Sequence, residues 1–570
     1  MTAFNLTYEK LEKIILILIG LSACFYIGCK LFFIAHYNIN WDEFFFLSNL
    51  HDFTNSRLHT ILQKGHVYLL WWLTFIPGNE ITQIIMARGV MLCLQLLTAF
   101  FIFRISEFFF SRPASAINAF LYLSYTYVLW QGTSFRADPI AICLLMASLF
   151  LTLRYPTSIP LAASAGILIG IAGTITIKSI FIAIPIGIIA CCLYAESRFH
   201  RRYLQTLFII PLSALLIFTL YLIAQKLMTL PSETTVGGFE DKLSLFIRIH
   251  LLNGYYKLKF LFFENPILLS LLGLGLIIIR AQLKFTKKYN VWEALMLFTL
   301  TLPLFTLFFY RNAYEYYYVF ILAPAIIPSA AIIDLGLKHL RPVYSLLLIT
   351  CLLGYLGHNI YIHTIERSQK YTLSYQQEII ETVHHIFPEP VPYIDRCGMI
   401  SSYPRHAFFM SLAGYINYKS GHVPDLKTQI LEYEPKFILG SYIYPEQEQI
   451  KTKNILNRTL KDTDRIFIAN HYIHHWNELY VAGKKIYLTP ENPEQEISII
   501  ISGPYTIESI EPILIDQKPY KNTDIIVLDR GKHTISLTNE KNTAITLRWG
   551  ERISQPQTNK DTRNNLFYGF

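Results

Sequence analysis

Residues 38–47 of this chain read NINWDEFFFL, and this stretch decides the fold. It follows a long apolar segment at 14–35 and puts Asp42 and Glu43 where a membrane helix would leave the lipid. Ionised carboxylates are costly among apolar side chains, so an acidic pair beside Trp41 and three phenylalanines needs a compensating reason. A single acid at a helix end is usually just solvated, so the rest of the sequence has to decide whether this pair has a function.

The composition excludes a soluble globular chain and a disordered one. Of 570 residues, 53% are hydrophobic, 16% are charged and 15% are aromatic. Apolar segments long enough to cross a hydrocarbon core of roughly 30 Å recur through the first two thirds of the chain. We predict about eleven spans, at 14–36, 82–103, 114–131, 139–154, 160–176, 179–195, 204–224, 264–280, 292–309, 317–335 and 343–362.

The net charge of +9 indicates membrane orientation rather than nucleic-acid binding. Basic residues gather in the short loops around 104–112, 154, 198–202, 280–288 and 338–341, which the positive-inside rule places in the cytoplasm. We therefore expect a multi-pass protein of the bacterial inner membrane with a cytoplasmic N-terminus. The other loops and the C-terminal region would then lie in the periplasm.

Three further outer segments contain charges that are unusual beside a membrane. In SFRADP, Asp138 can cap the next helix or contact a substrate, and Arg136 can contact a phosphate. Lys178 is isolated in AGTITIKSIFIAIPIG, where it either snorkels to the surface or faces an anionic ligand. In YRNAYEYYY (310–318), the tyrosines are typical of a membrane interface, whereas Arg311 matches a phosphate more specifically.

The remaining outer segments are less specific. The loop at 225–263, with Gly237 and Gly238, is interpreted as a lid or as a plain interfacial helix. His59, His66 and the HYIHHW cluster at 471–476 lack an accompanying acid or cysteine, so we predict no metal site, although a divalent metal is left open. The sequence indicates no other cofactor.

From about residue 364 the chain becomes polar and its apolar runs shorten to strand length. This change predicts an exported region after a membrane domain at 1–363. Helix and strand signals mix at 364–482, and short strands separated by turns at 483–570 indicate a small β-sandwich.

The acidic pair in the first outer loop, the acid in RADP, the isolated lysine, the late Arg/Tyr loop and the exported tail together resemble the GT-C glycosyltransferases. The branch in question contains the protein O-mannosyltransferases and the lipid A aminoarabinose transferase. The resemblance covers residues 1–363 and implies a polytopic α-helical membrane enzyme. Such an enzyme would transfer a sugar from a polyprenyl-phosphate donor to a glycolipid or protein acceptor at the outer leaflet.

The resemblance also implies roles for individual residues. It assigns the essential acid to Asp42, its partner to Glu43, and the second acidic position to Asp138. It assigns contacts with the donor phosphate to Lys178 and to Arg311 with Tyr316 or Tyr317.

The chemistry of the reaction is consistent with these roles. A lipid phosphate is a good leaving group that needs cations, which Lys178, Arg311 and Arg136 can supply. The acceptor hydroxyl needs a base, for which Asp42 is the candidate in a single inverting displacement.

Two other functions are considered. A lipid-linked sugar flippase would move its substrate without forming product, but the chain has no visible inverted repeat and its charges gather at one face rather than at midplane. A lipid-linked saccharide ligase or polymerase would differ only in its acceptor. The sequence identifies neither the sugar, the acceptor nor the polyprenyl length.

Overall fold

The computed structural model describes residues 7–59, 63–231, 251–440, 460–556 and 566–567. The glycine pair of the predicted lid, Gly237 and Gly238, lies outside these residues. The helices of the membrane part are α1 Tyr8–His36, α2 Trp41–Thr54, α3 Gly65–Leu70, α4 Glu80–Ser106, α5 Arg112–Leu123, α6 Thr126–Gln131, α7 Ala137–Arg154, α8 Ile159–Ile175, α9 Ile180–Glu196, α10 Arg201–Met228, α11 Leu251–Glu264, α12 Pro266–Ala281, α13 Val291–Thr299, α14 Leu302–Phe305, α15 Glu315–Ala325, α16 Ala330–His339 and α17 Pro342–Tyr361.

The membrane domain is polytopic, as predicted. Within the described residues, seven helical segments are long and apolar enough to span a membrane. They are α1, α4, α7, α10 and the continuous segments Ile177–Glu196, Pro266–Thr286 and Pro342–Lys370, which contain α9, α12 and α17. The pairs α13–α14 and α15–α16 are bent by 40° and 45°, and they raise the number to nine if each pair is one span. The span predicted at 160–176 is the shorter apolar helix α8, with 17 residues.

The span predicted at 114–131 is two helices, α5 and α6, because the backbone leaves the helix at Ser124 and Tyr125. A break inside an apolar region exposes carbonyl groups that need donors. At the break, the Asn359 amide donates to the Ser124 carbonyl at 2.9 Å, and near the end of α6 the Lys30 ammonium group donates to the Leu129 carbonyl at 2.6 Å. Buried polar side chains from α17 and α1 therefore hold the break and the end of α6 in place.

The region after the membrane domain, for which the sequence predicts export and which is called the exported region below, is mixed α/β and then strand-rich, as predicted. Its helices are α18 Arg367–Lys370, α19 Ser374–Ile386, α20 Leu412–Lys419, α21 Leu426–Tyr433 and α22 Asp462–His471. Its strands are β1 Tyr393–Ile394, β2 Phe437–Leu439, β3 Tyr472–Trp476, β4 Leu479–Leu488, β5 Glu494–Ile499, β6 Gly503–Ser509, β7 Ile513–Ile515, β8 Lys518–Tyr520, β9 Ile525–Leu528, β10 Gly531–Leu537 and β11 Thr543–Trp549.

Two sheets organise this region. One has the order β1-β2-β4-β11-β6-β9, with β3 also paired to β4, and the other has the order β5-β10-β7-β8. Isoleucines and leucines from both sheets share one core, as in a sandwich. Strand β4 pairs with β2 at one end and with β11 along the rest, so the boundary predicted at 482/483 lies inside a strand.

The exported region packs directly on α2. Phe44 and Leu47 of α2 belong to the same buried cluster as Ile379 and Phe437 of the exported region. The backbone amide of Asn38 donates to the Tyr371 carbonyl at 2.9 Å. The helix that begins with the WDE sequence is thus held between the membrane helices and the exported region.

Candidate active site

Helix α2 begins with a capping box. The Asn40 side chain accepts from the Asp42 amide at 2.9 Å, and the Glu43 carboxylate accepts from the Asn40 amide at 3.1 Å. Acidic residues are favoured in a first helical turn, where the helix dipole presents positive charge. These local rules start the helix at Trp41 and fix Asp42 and Glu43 in its first turn.

Glu43 is fully buried and forms a bidentate ion pair with Arg88 of α4. The two bonds measure 2.8 and 2.7 Å, and a third donor, the Phe135 amide, lies at 2.9 Å. Burial alone would raise the pKa of Glu43, but Arg88 and the backbone amides outweigh it and hold that pKa below its usual value. Both carboxylate oxygens of Glu43 are therefore occupied by protein donors.

Arg88 also donates hydrogen bonds to the backbone. Its guanidinium group also donates to the carbonyls of Tyr37 and Asn38, at 2.8 and 2.9 Å. One buried arginine thus ties the end of α1, the start of α2 and helix α4 together. Arg88 was not among the residues predicted from the sequence. It is, however, an isolated charged residue within an apolar segment, which is the feature that identified Lys178.

Asp42 and Asp138 each pair with one cation. Arg136, the residue before α7, donates to Asp42, and Lys178, in the short turn Ile177–Ser179 between α8 and α9, donates to Asp138. The Asp42 side chain is 20% exposed, whereas the other three side chains are below 10%. Three separate outer segments therefore converge in one group of four charges.

Tyr316 forms one wall of this group. The guanidinium carbon of Arg136 lies 3.8 Å from the centroid of its ring, and the Lys178 ammonium nitrogen lies 4.9 Å from it. An aromatic face stabilises nearby cations through its quadrupole, most strongly where water is excluded. The start of α15 thus joins the two ion pairs into one cluster.

Tyr317 points into the protein. Its side chain is fully buried, and its hydroxyl lies 2.7 Å from the Thr306 hydroxyl. The Lys178 ammonium nitrogen lies 5.7 Å from its ring. Tyr317 therefore supports the cluster from behind with its ring, while its hydroxyl is already bonded.

Arg311 stands apart from the two ion pairs. Among the described residues, its side chain has no hydrogen bond, ion pair or ring contact, and it is half-buried. Its neighbour Tyr310 packs on Phe181 and on Tyr317, with ring centroids 5.5 and 4.9 Å apart. Arg311 thus follows directly on a residue that packs against Tyr317, and among the described residues it has no fixed counter-charge.

The exported region also reaches this site. The guanidinium carbon of Arg396, a buried residue, lies 4.0 Å from the ring centroid of Trp41, the residue before Asp42. Phe45 of α2 stacks on Phe409 at 4.1 Å. Sequence reasoning missed these contacts because more than 350 residues separate the partners.

The histidines considered as metal ligands do not converge. Among the residues that the structure describes, no group of three His, Cys, Asp or Glu side chains could hold a metal ion. The ring of His66 is buried against Phe46, and His59 lies 2.8 Å from the Pro231 carbonyl. His474 and His475 each bond a different backbone carbonyl.

The fold is similar to that of membrane glycosyltransferases of known structure, as the resemblance to the GT-C family implied. Two solved oligosaccharyltransferase structures from Archaeoglobus fulgidus have a similar architecture. AglB in complex with an inhibitory peptide and a dolichol-phosphate is 10% identical with a TM-score of 0.51, covering 93% of this chain and 96% of AglB. An oligosaccharyltransferase from the same organism in the apo form is 10% identical with a TM-score of 0.50, covering 95% of this chain and 97% of that protein.

A further solved structure aligns with a smaller part of the chain. ArnT from Cupriavidus metallidurans bound to undecaprenyl phosphate aligns at 11% identity with a TM-score of 0.46, covering 75% of this chain and 93% of ArnT. No protein-family model and no curated protein matches the sequence. At these identities the likeness concerns the fold, and the function has to be argued from the site.

Proposed function

We propose that this protein is a membrane glycosyltransferase that moves a sugar from a polyprenyl-phosphate donor to a hydroxyl of a glycolipid or protein. The observation that carries this proposal is the convergence of Asp42, Arg136, Asp138 and Lys178 against Tyr316. Four charges from three segments would be a costly way to stabilise a fold, since buried ion pairs contribute little net stability. Their cost is explained if an anionic substrate uses them.

The cluster suits a phosphate leaving group because the counter-ions of its two cations are carboxylates, and a phosphate can take the place of a carboxylate beside a cation. A donor phosphate that contacts both cations replaces Asp42 as the counter-ion of Arg136, while Asp138 keeps Lys178 in position. The cations then stabilise the charge that develops on the phosphate oxygens as the bond to the sugar breaks. Arg311, which has no fixed counter-charge among the described residues, is the third cation in this proposal.

Asp42 is the proposed base. It is the most accessible of the four charged side chains, and it is freed when the donor phosphate takes over Arg136. Its carboxylate then accepts the proton of the acceptor hydroxyl while the oxygen attacks the anomeric carbon in one inverting step. Asp138 is nearly inaccessible, and we assign it the positioning of Lys178.

The remaining predicted site residues receive supporting roles. Tyr316 provides the aromatic surface that holds the two cations, and Tyr317 buttresses it. We assign Glu43 a structural role, in which it binds Arg88 and fixes the start of α2. It does not transfer a proton in this proposal.

The proposed location is the bacterial inner membrane, with the N-terminus in the cytoplasm and the exported region in the periplasm. Basic residues at the far ends of the helices support this orientation. A lipid-linked saccharide ligase or polymerase would use the same charges, so the acceptor separates these alternatives. A flippase would translocate labelled donor lipid in vesicles without forming product.

The first test replaces the proposed base. Asp42→Asn should lower kcat about 100- to 10,000-fold, because the contribution of a positioned base is lost. Transfer is measured with purified protein, a radiolabelled polyprenyl-phosphate sugar and membrane acceptor lipids or proteins. Asp52→Asn is the matched control on the same helix, and it should retain activity because Asp52 lies ten residues beyond Asp42 and pairs only loosely, at 3.6 Å, with Arg57.

The second test addresses the cations. Lys178→Ala should raise the donor KM, and Lys178→Arg should restore part of the affinity because it keeps the charge. Size-exclusion profiles check that both variants fold. Wild-type donor KM and kcat in Lys178→Ala would leave Lys178 as a snorkelling residue and remove the cation role.

A further inference from the structure

A cavity lies at the end of the membrane helices opposite to the candidate active site. Helix α4 runs from Arg88 near the candidate site to Ser106, a distance of about 27 Å at 1.5 Å per residue. Beyond Ser106, the Ser111 amide in the loop before α5 donates to Asp334, which lines a cavity of about 530 Å³ between the ends of α12 and α16. The cavity is therefore separated from the candidate site by roughly the thickness of a hydrocarbon core.

The lining of this cavity combines apolar and basic side chains. The apolar ones are Ile278, Phe285 and Leu335, and the basic ones are Lys288, Lys338 and His339. Phe285 is 75% exposed, so the apolar lining continues onto the surface of the bundle. A cavity that offers both apolar and cationic side chains matches a molecule that carries both an acyl chain and an anion.

The two lysines of this cavity, Lys288 and Lys338, carry more positive charge than their shared partner Asp334 neutralises. Lys288 and Lys338 both donate to Asp334, at 3.0 and 2.8 Å, and the Ser111 amide donates to the same carboxylate at 3.1 Å. Asp334 is fully buried, whereas the two lysine side chains remain 32% and 54% exposed. One carboxylate thus holds two ammonium groups in place and leaves one positive charge facing the cavity.

A polar group on the cavity wall lacks a partner. The side-chain oxygen of Gln282 is buried and, among the described residues, accepts no hydrogen bond. Buried acceptors are rarely left without a donor. An ionised phosphodiester has no hydrogen to donate, but a hydroxyl in the headgroup next to it can donate one.

We propose that this cavity binds an anionic glycerophospholipid whose headgroup carries a hydroxyl, such as phosphatidylglycerol. The phosphate lies between Lys288 and Lys338, the headgroup hydroxyl donates to Gln282, and an acyl chain follows Ile278 and Leu335 out of the bundle. Basic pockets between membrane helices bind anionic headgroups in this way. This site is independent of the transferase proposal, and either can fail without the other.

The test measures lipid binding to the purified full-length protein by native mass spectrometry. Phosphatidylglycerol should bind at least tenfold more tightly than phosphatidylcholine with the same acyl chains. Equal binding of phosphatidylcholine or phosphatidylethanolamine would overturn the proposal, because those headgroups carry no net negative charge. Inorganic phosphate should not compete at millimolar concentration, and displacement by it would identify a free-anion site instead.

Variants separate the pocket from general stability. Lys288→Gln, Lys338→Gln and Asp334→Asn combined remove all three charges and leave no buried charge without a partner, so the triple variant should fold and lose the preference for phosphatidylglycerol. Asp334→Asn alone frees both lysines and should bind this lipid at least as tightly as the wild type. Lys287→Gln is the matched control, since Lys287 is the neighbouring residue but does not line the cavity. Wild-type selectivity in the triple variant would refute the site.

Discussion

At the scale of single residues, the two neighbouring acids have different proposed roles: Glu43, which pairs with Arg88, is structural, and Asp42 is catalytic. The two side chains are 0% and 2% exposed, so removing one partner leaves an uncompensated buried charge. We expect Glu43→Gln to destabilise the protein by about 3–5 kcal/mol. Asp42→Asn should cost much less stability, because Asp42 is partly exposed.

Thermal unfolding of the purified variants in detergent measures this difference. The Tm of Glu43→Gln should fall well below those of the wild type and Asp42→Asn. A Glu43→Gln protein with wild-type Tm but no transfer would contradict the structural role. It would instead support the catalytic role that the resemblance implied for Glu43.

The charged residues near the outer surface could be predicted from sequence because a charge beside lipid needs a reason whatever its partner. The structure brings Asp42, Arg136, Asp138 and Lys178 together in space. Which acid pairs with which cation could not be predicted. These pairings depend on how the helices pack, and the order of residues along the chain does not encode that directly.

At the scale of elements, the contact between α2 and the exported region depends on Gly398. This residue has φ +86°, and a Cβ atom added there would lie 2.6 Å from the Ser48 Cβ atom. Gly398→Ala should therefore be doubly unfavourable, with about 1–2 kcal/mol of backbone strain and about 1–3 kcal/mol of overpacking. We expect a lower Tm and reduced transfer, because α2 also carries Asp42.

Gly421→Ala is the matched control for this prediction. Gly421 also has a positive φ, +77°, but open space surrounds the position of its Cβ atom. It should show the backbone cost alone and keep its activity. Equal effects of the two substitutions on Tm and transfer would mean that the contact with Ser48 does not matter.

Elements were predicted well where periodicity or apolar length dominates, and poorly where packing decides. The long spans α1, α4 and α10 follow directly from their length. The break between α5 and α6 does not, because the Ser124 carbonyl at the break is satisfied by Asn359 from a distant helix. Strand β4 likewise crosses the expected boundary, since its partners β2 and β11 lie on either side in sequence.

At the scale of the whole molecule, an ion pair between the exported region and the membrane domain makes their contact sensitive to pH. His384 of α19 lies 2.9 Å from Glu80, the first residue of α4. This hydrogen bond raises the pKa of His384 above its usual 6.5. A raised pKa in the folded state stabilises the fold below about pH 6.5, and this stabilisation is lost as pH rises through the shifted value.

Thermal unfolding of the wild type and His384→Gln at several pH values tests this contribution. Between pH 6 and pH 8.5 the wild type should lose up to about 1 kcal/mol more stability than the variant, since the pair is only partly shielded from solvent. Other histidines titrate in both proteins, so the informative quantity is the difference between them. Identical pH profiles would show that the His384 pair contributes nothing to the contact.

The packing of Phe567 against the start of α2 has a consequence for biosynthesis. The Phe567 ring lies 5.9 Å from that of Trp41 and 6.3 Å from that of Phe44, and Gln376 links Ile39 to the Leu566 carbonyl. More than five hundred residues separate Phe567 from Trp41 and Phe44, and a ribosome adds about 5–20 residues per second. The start of α2 therefore waits roughly half a minute or more after its own synthesis before the aromatic ring that covers it exists.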